Sequence, residues 1–207
     1  MKKTNRFCTY FLLMSFVFLL VNSCKKDSSS KAEILTIGQS YQGGVIAYIL
    51  RQGDNGYDVN VQHGLITSSS DQSEHAVDWG CRDGLWGGSA IPNAAGTAIG
   101  TGNQNTIDIM AGCTKAGIAA RLCGDLVLGG YSDWYLPSKD ELDRVNDNKA
   151  ALSGFDKTEV YWSSSQYWTS GSSSNYGHDA WVQDFADGQQ YGGDAKMGPH
   201  VLAIRSF

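Results

Sequence analysis

Residues 129–142 read GGYSDWYLPSKDEL, and this stretch decides the fold. The paired glycines suit a turn, where positive φ costs them little. Trp134, Tyr135 and Leu136 form an apolar run that can enter a core. Pro137 crowds Leu136 out of the helical region. Ser138 then reads as a helix N-cap, with Glu141 three residues on as its capping-box partner. Asp140 and Glu141 suit the positive end of the helix dipole, so capping explains these acids without a catalytic role for them or for Asp133. The stretch predicts turn, buried aromatic segment, sharp corner, and a capped helix running from Lys139 to about Lys149.

Working outward, residues 43–50 (GGVIAYIL) predict a buried strand. GDNG at 53–56 is turn chemistry. Tyr57, Val59 and Val61 alternate with polar residues, which predicts a half-buried strand completing a hairpin. Residues 64–67 continue the sheet, with His63 at a strand break. Residues 68–104 are long and irregular, with Trp79 and Trp86 expected to pin the loop onto the body. GTAIGTG at 96–102 lacks the lysine and hydroxyl pair of a phosphate-cradling loop and reads as a loop before a helix. Asn105 or Thr106 can cap that helix, whose apolar face (Ile107, Met110, Ala111, Ile118, Ala119, Leu122) runs to about Leu126. Gly112 and Gly117 weaken its middle. Residues 160–164, 180–186 and 200–205 predict three terminal strands in a hairpin arrangement, with a tight turn at Asp187-Gly188.

Lys2, Lys3 and Arg6 precede an uncharged apolar run at 11–21. A membrane span needs about 20 such residues; this run has the length of a signal-peptide core. Ser23-Cys24 follows, as in a bacterial lipobox. The organisation expected is a signal peptide at 1–23, a lipidated Cys24 with a polar disordered tether at 24–37, and one domain at 38–207. Acyl chains on Cys24 would anchor the chain to a membrane without a spanning helix. Lys25 is not the aspartate of inner-membrane retention, which points to an outer-membrane lipoprotein of the cell envelope, surface or periplasmic.

The formal charge of the whole chain is −5, and loss of the signal makes it three units more negative. An acidic domain is a poor nucleic-acid binder. Beyond Cys8 and Cys24 the chain has Cys81, Cys113 and Cys123, an odd number for an oxidising compartment. On one continuous helix, Cys113 and Cys123 would stand about 15 Å apart, beyond the roughly 7 Å that a disulfide spans. Cys81 is therefore expected to pair with one of them, Cys113 by preference, leaving a buried thiol.

The segment at 129–142 resembles the W-x-LP-[ST]-x-x-EL corner of the Lcl C-terminal domain family, bacterial extracellular domains typified by a collagen-like adhesin. GTAIGTGNQNTIDIMAGC upstream, and VYWSSSQY and AWVQDFADGQ…HVLAIRS downstream, match it in order. The corner is also similar to that of formylglycine-generating enzymes, which share a C-type-lectin-like fold. The resemblance implies an α+β, C-type-lectin-like domain with two helices packed on small antiparallel sheets and long loops. It does not bring the enzymes' chemistry, because no cysteine follows Cys123. Nor does it bring the sulfated-polysaccharide binding of the adhesin, because the basic clusters are missing.

The function expected is non-catalytic recognition of a glycan or another extracellular ligand. The alternative is a protein–protein adaptor or structural component of the envelope. In residues 166–178 (QYWTSGSSSNYGH), aromatic rings can stack on sugar faces while polar side chains bond hydroxyls. Trp168, Asn175, Tyr176 and Asp179 are the candidate contacts. No cofactor is implied. A calcium ion is a further candidate through Asp133, Asp179, Asp184 or Asp187, although these lack calcium-loop spacing.

Overall fold

The computed structural model describes residues 34–73, 77–81, 91–167, 180–193 and 198–207. The folded unit is Ile34–Phe207, and Leu35 and Ile37 already pack against its core. It is an α+β domain. Its described elements are β1 (Ser40–Tyr41), β2 (Gly44–Ile49), β3 (Gly64–Thr67), α1 (Gly102–Gly112), α2 (Ala119–Gly124), α3 (Lys139–Asp147), β4 (Val160–Gln166), β5 (Ala180–Asp184), β6 (Gln190–Gly193) and β7 (Ile204–Ser206). They form two antiparallel sheets, ordered β1-β2-β3-β7 and β4-β5-β6.

The corner forms as its sequence dictates. Gly129 and Gly130 take positive φ. Trp134, Tyr135 and Leu136 are all buried, and extended backbone sends them alternately into two apolar clusters. Trp134 and Leu136 join Ile46, Ile66, Ile109 and Trp162. Tyr135 joins Leu142, Val145, Tyr161, Phe185 and Ile204. Burying Leu142 alone contributes about 1.5–3 kcal/mol. The capping box is complete: Ser138 Oγ accepts from the Glu141 amide at 3.3 Å, and Glu141 Oε2 accepts from the Ser138 amide at 2.7 Å.

Four expectations are corrected. The strand predicted over 57–62 does not form. The Leu50 amide donates directly to the His63 carbonyl, β3 pairs with β2 from Gly64, and the intervening chain loops out. Its alternating residues face solvent, with Val59 79% and Val61 52% exposed. His63 Nδ1 lies 3.1 Å from the Phe207 carbonyl.

The single helix expected up to Leu126 is two, so the described residues hold three α-helices rather than two. Cys113 turns extended after α1 and is tied to Cys81. Arg121 of α2 then donates to the Met110 and Cys113 carbonyls left open at the end of α1. Neither Asn105 nor Thr106 caps α1; the N-cap is Thr101. Both lie buried inside the helix. Asn105 donates to Gly96 O and Ser164 Oγ, and Thr106 Oγ1 accepts from the Leu136 amide.

The three terminal strands do not share a sheet. Gln190–Gly193, beyond the Asp187-Gly188 turn, is the third strand of the second sheet. The closing segment crosses to the first. His200 pairs with β4, Val201 with Ser73, and Ile204 with Tyr135, after which β7 joins β3.

Candidate functional site

The expected ligand residues Trp168, Asn175, Tyr176 and Asp179 lie outside the described residues, as does Cys24. The strands that carry their loop are described. Tyr167 ends the β4 side and Trp181 stands near the start of β5. The two rings meet edge to face, with centroids 4.6 Å apart and planes at 84°, a favoured aromatic geometry. The Lys139 ammonium stands 5.0 Å from the Trp181 ring centroid, within cation–π range.

This grouping depends on β6 and α3. Trp181 pairs across the sheet with Gly192. A side chain on Gly192 would place its Cβ 2.3 Å from the Tyr167 ring, so glycine gives the tyrosine its seat. Gln190 of β6 donates to the Lys139 carbonyl at 2.9 Å, fixing the helix start beside the sheet. Lys139 is placed from below, its amide donating to Ser165 Oγ, which in turn donates to Gly96 O. Trp181 and Tyr167 are half-buried, as is the Lys139 side chain. The arrangement offers two aromatic surfaces, a cation and an amide on one frame. Trp181 stands in the sequence as a strand residue, and only its alternation against buried Val182 marks it as facing elsewhere.

Of the calcium candidates, Asp179 lies outside the described residues, and Asp133, Asp184 and Asp187 are engaged separately. Asp133 is paired with Arg205, at 2.7 Å on both carboxylate oxygens, and these bonds hold its carboxyl below the usual range. Asp184 and Asp187 accept amide hydrogens of Ala186 and Gln189 at the β5–β6 turn. Among the described residues no group of three His, Cys, Asp or Glu side chains is arranged to hold a metal ion. Glu141 is a buried clasp, its Oε1 accepting from the Gly100 amide at 2.8 Å. Burial pushes its carboxyl up, opposed by these amides.

Cys81 and Cys113 form a disulfide with Cα atoms 5.3 Å apart. Cys123 is a buried free thiol, pushed up by burial and so a poor nucleophile.

Comparison with known proteins adds one match. The family model described as the Lcl C-terminal domain matches residues 85–205, from before α1 through the corner and the second sheet to Arg205. No curated protein matches the chain.

Proposed function

The chain belongs to the Lcl C-terminal domain family, and from that premise we propose a non-catalytic recognition module that binds glycan at the cell envelope. The half-buried Trp181–Tyr167 pair beside Lys139 carries the reading. Such rings offer apolar faces to a sugar, and Lys139 and Gln190 supply polar groups at their edge. The loop holding Trp168, Asn175, Tyr176 and Asp179 springs from the same two strands. In this reading the fold is C-type-lectin-like, a view supported by the capped corner and by two small antiparallel sheets closed by the C-terminal segment. Cys24 carries the lipid anchor of an outer-membrane lipoprotein, a view supported by the charged, apolar and small-residue pattern that precedes it.

The test is a glycan array probed with detergent-solubilised full-length protein, with and without calcium. Reproducible binding to one sugar class, reduced at least tenfold by Trp181→Ala and by Trp168→Ala at unchanged thermal stability, is expected. Binding indifferent to both substitutions would sink the site assignment. The adaptor reading has one observation of its own, the solvent-facing Tyr57, Val59 and Val61 on the 51–62 loop. It predicts a blank array and an envelope protein retained by the native chain but not by Val59→Asp.

A further inference from the structure

A concave surface lies at the start of β4, the opposite end of that strand from Tyr167. It is a cleft of about 560 Å³ lined by Ser70, Asp71, Gly154, Phe155, Asp156, Glu159 and His200. Asp71 forms its floor, with a side chain only 7% exposed. Its Oδ2 is engaged: it accepts from the Tyr161 hydroxyl at 2.9 Å and lies 3.4 Å from both His200 Nδ1 and the Asp156 amide. Its Oδ1 is buried and has no hydrogen-bond partner. A buried carboxylate oxygen without a donor costs the desolvation of a charged group with nothing in return, and native structures rarely leave one so.

The surroundings say what kind of donor is missing. Glu159 stands at the mouth, half-exposed, with Oε2 4.0 Å from His200 Nε2. Asp156 adds a third carboxylate, which bonds Thr158. Phe155 gives the cleft an apolar wall, held edge-on against Tyr161 and Phe185. Three carboxylates facing one imidazole favour a cation. The carboxylates are not gathered as a hard metal ion requires. An organic cation on an apolar stem fits both the floor and the wall.

We propose that this cleft binds an alkylammonium or guanidinium group, the head of a lysine or arginine side chain on a partner protein. A small turn of the Asp71 carboxylate brings its buried Oδ1 to the cleft, where an N–H of the head donates to it; Glu159 neutralises charge at the mouth, and the methylene stem lies along Phe155. Burial pushes the Asp71 carboxyl up against the bonds from Tyr161 and His200, and a bound cation restores its charged form. The site is independent of the aromatic face.

The experiment titrates the full-length protein in detergent with lysine and arginine blocked as N-acetyl and C-methylamide. Equally blocked norleucine serves as the uncharged control, and glucosamine and calcium chloride as competing cations. Calorimetry reads affinity, and NMR reads the His200 ring protons. Saturable binding of blocked lysine or arginine that moves the His200 signals is expected, with none for norleucine. Asp71→Asn and Glu159→Gln should each weaken it about tenfold, and Trp181→Ala should leave it unchanged. Glu159→Gln alters a half-exposed side chain and keeps the test decisive should Asp71→Asn fail to fold. No saturable binding, binding unaffected by Glu159→Gln, or a response to calcium or glucosamine alone would overturn the proposal.

Discussion

Arg205 grips Asp133 with two parallel bonds of 2.7 Å, from Nε and Nη2. The same guanidinium donates from Nη1 to Gln42 Oε1 at 2.5 Å and lies 4.0 Å from the Tyr131 ring centroid. One buried cation thus ties β7 to the corner and to the turn between β1 and β2. Lysine cannot reproduce this fork. Arg205→Lys should cost about 1.5–3 kcal/mol of unfolding free energy, read by urea denaturation at neutral pH. An unchanged midpoint would show the fork to be dispensable.

Asp71 and Glu141 give the pH profile its sign. Burial raises both carboxyls above their ordinary values of 3.8 and 4.5. The folded state therefore holds more protons than the unfolded chain between those values and the raised ones, and stability falls as pH rises through that window. Asp133 acts oppositely: its lowered value makes stability fall only as pH drops below the ordinary carboxylate range. The stability maximum should lie on the acid side of neutrality, and Asp71→Asn should flatten the limb above it. Chemical denaturation across pH measures this; a maximum at neutral pH, unmoved by the substitution, would contradict it.

The Cys81–Cys113 bond closes a span of 32 residues. Loop-closure entropy gives its removal a cost of about 3–4 kcal/mol, to be read from urea denaturation of Cys81→Ser. Cys123, fully buried with a thiol pushed up by burial, should resist a thiol reagent in the native protein and react only on denaturation. Rapid labelling of Cys123 in the folded state would refute that placement.

The corner was legible because its signals are local. A proline, a serine and a glutamate at fixed spacing specify the cap, and the structure supplies both of its bonds. The Asp187-Gly188 turn was legible for the same reason. The paired glycines suit a turn, but the stronger constraint on Gly129 is distant. A Cβ there would stand 2.3 Å from the Gly43 Cα, a backbone approach that no window of sequence displays. The alternation at 57–62 misled because period-two patterning records only what a strand would do, and the Leu50–His63 bond bypasses that segment. The helix break was hidden for a related reason, since apolar spacing continues across 113–118 while Cys113 is drawn to Cys81. Helix length excludes a Cys113–Cys123 bond only on the premise of that unbroken helix. The premise fails, yet the bond observed is still Cys81–Cys113. At the aromatic face, neither the seat at Gly192 nor the approach of Lys139 to Trp181 follows from strand order, because the two meet only once α3 lies against the second sheet.

His200, Val201, Ile204 and Ser206 pair in turn with β4, Ser73, the corner and β3. Each sheet is completed by the same few residues, so neither can be lost while the other keeps all its bonds. The two apolar clusters share one latch, and the domain should melt as a single cooperative unit.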